Sequence, residues 1–113
     1  HRAVLAMIGG FREKRRIDIH GIVHITGGGI YHNTARIIPH GLKADFDSLP
    51  APHPFMTDLM EIGKVSRDEA YRTWNMGVGM VLVCSEKEMG SVAKIAKKHG
   101  IGMRRVGTVA TIP

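Results

Sequence analysis

His24-Ile25-Thr26-Gly27-Gly28-Gly29, with Asn33, Arg36 and Pro39 behind it, is the stretch whose reading decides the fold. Alternating apolar residues from Ile17 to Ile25 predict a strand, because successive side chains in a strand point to opposite faces. Three consecutive glycines then let the backbone bend sharply and approach closely whatever lies in front of it. Beyond them Ile30, Thr34, Ile37 and Ile38 recur at helical spacing, and Pro39 stops a helix expected over 30–38. The first N–H groups of a helix have no partners within it, so a phosphate is the natural occupant of such a turn. A ligand-free strand-to-helix connector is the plainer reading of the same letters.

Two familiar phosphate motifs are excluded. No Gly-Lys-Ser/Thr follows the glycines, so the Walker lysine is missing. The dinucleotide fingerprint fails because His32 stands where it needs a small residue.

Working outward, residues 2–15 predict a first helix on the apolar pattern Val4, Leu5, Ile8 and Phe11, held by packing in spite of Gly9 and Gly10. Leu42, Ala44 and Phe46 alternate as a second strand. Pro50, Pro52 and Pro54 mark an extended crossing loop, and Phe55, Leu59, Met60 and Ile62 a helix after it. Ser66-Arg67-Asp68-Glu69 and Ser85-Glu86-Lys87-Glu88 have the form of capping boxes, each opening a helix; the second helix turns Met89, Val92, Ala93 and Ala96 inward and closes at Gly100. Between them lies a strand at 79–84, and a last strand is expected at 103–109. Strands alternating with helices on a small sheet define an α/β (α+β) class, and the 113 residues fit one domain, 1–113.

No apolar stretch reaches the length of a membrane span, and no charged-then-apolar start suggests a signal peptide. The one cysteine, Cys84, ends an apolar run and reads as a small buried hydrophobe, so a reducing, cytoplasmic setting fits. The formal net charge is +6, but Arg12, Lys14, Arg15 and Arg16 end the first predicted helix and Lys94, Lys97 and Lys98 belong to the last one, where cations favour the C-terminal end. Aromatic residues do not interleave with them, so the stacking platform of a single-strand binder is missing and no nucleic-acid partner is expected.

Seven histidines raise the question of a metal. His20 and His24 share a strand face but lie roughly 13 Å apart at the usual rise, too far to hold one ion. His1 is terminal, and His32, His40, His53 and His99 fall on helix ends or loops without ligand-spaced partners, so no metal site is expected. His24 stands at the mouth of the glycine turn, where its imidazole either faces a phosphate or reacting amide or simply anchors the turn. Thr26 either donates its hydroxyl to the same anion or caps the following helix. Asn33 and Arg36 are three apart on one helical face, which reads equally as a solvated face. Asn75-Met76-Gly77-Val78-Gly79 puts two glycines before a buried strand, for a tight turn or for close approach of a ligand or neighbouring domain. Asp45 and Asp47, with Lys43 beside them, read as solvated edge charges.

Taken together, the run His24 to Gly29, the Asn33, Arg36, Pro39 series, Val65-Ser66 with Glu69, and Tyr71-Arg72-Thr73-Trp74-Asn75 through Met80 resemble the C-terminal domain of the aminoimidazole ribonucleotide synthetases, the phosphoribosylformylglycinamidine cyclo-ligases of purine biosynthesis. The likeness runs from about residue 17 to about residue 109. Trp74 departs from it, since the family more often has Phe there. The resemblance implies a small mixed sheet flanked by helices, with partial likeness to the ferredoxin fold. It also implies an ATP-dependent ring closure in which an amide oxygen of formylglycinamidine ribonucleotide is phosphorylated and an internal nitrogen displaces the phosphate. On that footing Thr26, Gly27, Gly28, Gly29, Asn33 and Arg36 are expected to bind substrate or phosphate, His24 is the catalytic candidate, and Asn75, Gly77 and Gly79 are expected at a domain interface or ligand approach. ATP and Mg²⁺ would bind mainly through an N-terminal half that these residues lack, and the homodimer of the family rests largely on that half. The chain is therefore expected to be a piece of a longer enzyme, inactive alone. A non-catalytic phosphate-ligand-binding or regulatory module of the same fold is the alternative.

Overall fold

The fold follows from where glycines interrupt the apolar pattern. The computed structural model describes residues 2–10, 12 and 14–113. The helix expected over 2–15 is shorter: α1 is Arg2–Ile8. Gly9 ends it at a φ of 82°, a left-handed conformation that costs glycine little, and the Gly9 N–H donates to the Leu5 carbonyl at 2.9 Å. Phe11 and His1 lie outside the described residues.

The remaining elements are β1 (Ile19–His24), α2 (Gly29–Ala35), β2 (Leu42–Asp45), α3 (Pro54–Gly63), α4 (Arg67–Thr73), β3 (Met80–Cys84), a 3₁₀ turn (Glu86–Glu88), α5 (Met89–Lys98) and β4 (Thr108–Thr111). The α/β class stands. The strands pair two and two, β1 with β3 and β2 with β4, instead of forming the one small sheet expected. β2 and β4 are antiparallel, with Leu42 opposite Thr111 and Asp45 opposite Thr108. The last strand thus falls later than the expected 103–109. Its pairing begins just after Gly107, where a Cβ would run into the Asp45 carbonyl.

The chain forms two compact units, one made of the chain up to Ile22 together with Leu82–Arg105, the other of Val23–Val81 with Val106–Pro113. In the first, Ala3 and Met7 of α1 and Val92 and Ala96 of α5 bury against Ile17, with Leu82, Cys84 and Ile101 around them. Cys84 is half-buried, less than its apolar run predicts; partial burial pushes its thiol up from the ordinary value and the Glu88 carboxylate pushes the same way, so the thiolate is disfavoured. In the second, Val23, Ile25, Ile30, Ala70, Tyr71, Met76 and Val81 form the core, with Met56, Met60 and Trp74 packed against it.

The two capping boxes differ. The Ser66 hydroxyl accepts the Glu69 N–H at 3.2 Å and starts α4 as its letters predict. Ser85 makes no such side-chain bond: its carbonyl accepts the Glu88 N–H at 3.0 Å, a 3₁₀ turn forms, and α5 begins only at Met89. α2 also stops early, with Arg36 as its C-cap, because the Ile37 N–H turns back to the Thr34 carbonyl at 3.1 Å ahead of Pro39.

Candidate functional site

The glycine turn belongs to the second unit. β1 delivers the chain to it, and the Ile25 N–H donates to the Gly79 carbonyl at 3.0 Å. The three glycines do different things. Gly28, at φ 101°, is the left-handed N-cap of α2. Gly29, at φ 69°, lies so near α4 that any Cβ would collide with the Tyr71 carbonyl. Gly27 has neither a left-handed φ nor a neighbour that a Cβ would meet. Conformation and packing explain two of the glycines; the third keeps open space in front of the backbone.

Asn33 does not lie on a solvated face. It is 5% exposed, under the turn, and its Nδ2 is within bonding distance of three carbonyls: Gly29 at 2.8 Å, Thr26 at 3.2 Å and Gly27 at 3.3 Å. Three acceptors fix which end of the amide is nitrogen. The consequence for the turn follows from the trans peptide, whose C=O and N–H point in opposite directions. Drawing the Thr26 and Gly27 carbonyls inward aims the N–H groups of Gly27 and Gly28 away from Asn33. Among the described residues neither N–H has a protein acceptor, whereas the Gly29 N–H closes the turn on the Thr26 carbonyl at 3.1 Å. Two adjacent amides directed outward make a concavity suited to an anion.

In front of the turn is an open cleft of about 310 Å³ lined by Ile25, Thr26 and Gly27, by Met56 and Leu59 of α3, and by Thr73, Trp74 and Asn75 at the end of α4. Its polar groups are partly committed: the Thr73 hydroxyl donates to the Glu69 carbonyl at 2.9 Å, and the Asn75 Oδ1 accepts the Gly77 N–H at 2.9 Å. That leaves the Thr26 hydroxyl and the Asn75 amide nitrogen beside an apolar wall of Met56, Leu59 and Trp74. A flat, partly apolar ligand carrying an anionic group suits such a lining.

Of the residues singled out in the sequence, Thr26, Gly27 and Asn75 line the cleft. Gly28, Gly29 and Asn33 shape its turn. Arg36 does not join them: as C-cap of α2 it is about 10 Å of helix rise from Gly29. His24 is exposed at the end of β1, and its imidazole makes no hydrogen bond or ion pair among the described residues. Gly77, at φ 99°, is needed where a Cβ would press on His53 at 3.2 Å; a Cβ on Gly79 would meet nothing. Met56, Leu59 and Thr73 went unread. The apolar face of α3 was visible, but not that it would wall a cleft. Asp45 pairs with Lys43 at 3.1 Å and Asp47 bonds Ser48 at 2.9 Å, as edge charges do. Among the described residues, no three His, Cys, Asp or Glu side chains lie together as a metal site would need.

A β1–glycine turn–α2 unit backed by α4 and bordered by an open cleft defines a small α/β domain. The chain belongs to the family described as AIR synthase related protein, C-terminal domain, whose pattern it matches over residues 3–111. Relatives of that kind include the phosphoribosylformylglycinamidine cyclo-ligase of Geobacter sulfurreducens, 48% identical over 80 residues, which cover 69% of this chain and 23% of the relative. The enzyme of the same name from Trichlorobacter lovleyi is 40% identical over 103 residues, 89% of this chain and 27% of the relative. That of Staphylococcus saprophyticus is 38% identical over 95 residues, 83% and 28%. The chain thus spans about a quarter of the length of the curated relatives it matches. No helix among the described residues is long and apolar enough to cross a membrane.

Proposed function

We propose that this chain is the C-terminal part of an ATP-dependent cyclo-ligase that closes the imidazole ring of formylglycinamidine ribonucleotide, giving aminoimidazole ribonucleotide, ADP and phosphate. The observation that carries the site is the pair of Gly27 and Gly28 amides held outward by Asn33, next to the Thr26 hydroxyl and the Trp74 wall. In this reading the amides and Thr26 hold an anionic group of the ribonucleotide, and the cleft orients the rest of it. Ring closure of this kind depends on positioning and on stabilising charge as it develops, and asks for no nucleophilic side chain. Asn33 serves as a positioning residue, and His24 stays the candidate for contact with the reacting amide.

No carboxylate is among the described residues that line the cleft, so its donor set does not fit magnesium, which is held through carboxylates. ATP and Mg²⁺ are assigned to the remaining three quarters of the parent enzyme, as is most of the homodimer contact, and the chain alone is expected to turn over nothing. The test is the parent enzyme assayed for ATP-dependent formation of aminoimidazole ribonucleotide, with Thr26→Ala and Gly27→Val beside the unaltered protein. We expect KM for the ribonucleotide to rise about tenfold, the weight of one lost charge-assisted contact, with the fold intact. An unaltered enzyme that forms no product would overturn the activity; variants with normal KM would overturn the site.

A further inference from the structure

The first unit carries a second concavity that the cyclo-ligase reading does not use. It is an open groove of about 600 Å³ along α5. Ser91, Lys94, Ile95 and Lys98 stand at i, i+3, i+4 and i+7, so one face of the helix forms one side of the groove. The segment before β1 supplies the other side with Arg16, and the buried Ile17 closes the floor next to Ile95. Arg16 is not a loose tail, because its backbone N–H and that of Ile17 both donate to the Met7 carbonyl, at 2.9 and 3.0 Å.

Lys97 brings the cations lining the groove to four, and no carboxylate lines it. Among the described residues none of the four has an ion pair. Asp18, the acid nearest Arg16 in sequence, is taken by Arg15 at 3.5 Å and His20 at 3.3 Å. The preference of cations for a helix C-terminus accounts for Lys97 and Lys98, but not for Lys94 in mid-helix or for Arg16 arriving from another segment. Converging cations over an apolar floor raise the local concentration of anions, and a concave lining favours a small molecule over an extended surface. No aromatic side chain lines the groove, which disfavours stacked single-stranded nucleic acid.

We propose that this groove binds a ligand carrying a chain of two or more phosphates. The cations stand on both sides of the groove, with Lys94 and Lys98 about 6 Å of helix rise apart on α5 and Arg16 on the other segment, so a short chain of phosphates engages all three at once, where a single phosphate must draw them together. The Ser91 hydroxyl can donate to a bridging or terminal oxygen. Free polyphosphate and a nucleoside polyphosphate share this chemistry; the second would lay its base or sugar against Ile95.

The test is calorimetric titration of the intact protein with inorganic tripolyphosphate, orthophosphate, ATP and a single-stranded RNA oligomer at fixed ionic strength, repeated for Lys94→Gln with Lys98→Gln, for Arg16→Gln alone and for Thr26→Ala. Tripolyphosphate should bind at least about tenfold more tightly than orthophosphate, and the double lysine variant should lose at least about tenfold without a change in melting temperature. Arg16→Gln should weaken it independently of α5, and Thr26→Ala should not, which separates this site from the cleft. Tighter ATP binding through the same lysines assigns the nucleoside form, and equal binding the phosphate chain alone. Equal affinity for ortho- and tripolyphosphate, an affinity indifferent to all three basic residues, or single-stranded RNA held through these lysines where tripolyphosphate is not, would overturn the proposal.

Discussion

The two glycine-bearing turns of the second unit, Thr26–Gly29 before α2 and Asn75–Gly79 before β3, look alike on paper and are held in different ways. Each has a glycine locked in place: Gly29 by a left-handed φ and the Tyr71 carbonyl, Gly77 by a left-handed φ and His53. Each also has one that nothing crowds, Gly27 and Gly79, and each is tied by an asparagine. Asn75 makes a local bond two residues ahead, its oxygen accepting the Gly77 N–H at 2.9 Å. Asn33 reaches back from a later helix and gathers three carbonyls from beneath. The first arrangement turns the chain. The second also sorts donors from acceptors, leaving amides on the outside.

If that contrast is right, Gly29→Ala should be the most damaging change, since it adds a left-handed β-carbon and a collision with backbone that cannot step aside. A loss of about 3 kcal/mol or more is expected in denaturant unfolding. Asn33→Ala comes next, at about 2–3 kcal/mol, because three carbonyls of the turn lose their shared donor and the bond to Gly29 is buried. Faster amide exchange at 27–30 than at 75–79 should accompany it, and equal effects on both turns would erase the distinction. For Gly77→Ala, whose neighbour is a side-chain carbon at 3.2 Å, thermal melts should report about 1–2 kcal/mol. Gly27→Ala should change stability by less than about 0.5 kcal/mol while weakening ribonucleotide binding in the parent enzyme. A large stability loss there would mean that the third glycine is structural after all.

What the sequence made legible was whatever is local. The alternation before Gly27 gave β1, the Ser66–Glu69 spacing gave the start of α4, and the glycine triplet marked the sharp turn. Where the outcome hung on distant partners, the letters misled or fell silent. Asn33 read equally as a solvated or a ligand-facing residue beside Arg36, because helical spacing says which residues share a face but not what covers it, and here the chain's own turn does. Ser85 had the form of a cap, yet its carbonyl took the bond its hydroxyl was expected to make. The place of β4 was set by its register on β2, more than sixty residues earlier, which no window of neighbouring residues contains. Met56 and Leu59 joined the cleft only because α3 packs, through Met56 and Met60, on the core cluster that also holds Ile25 and Met76.

The contact between Gly29 and the Tyr71 backbone has a consequence for motion. It presses the start of α2 against α4, and α4 ends at Thr73 and leads into Trp74 and Asn75, which line the cleft together with Thr26 and Gly27. The two walls are thus fastened together behind the opening and should breathe as one cooperative block, their slowest amides exchanging at a common rate. If the cleft takes the proposed ribonucleotide, adaptation to it falls to α3, none of whose residues is fully buried. Met56 and Leu59 line the cleft from α3, so ligand-dependent changes in amide exchange are expected in α3 while those of the glycine turn stay constant.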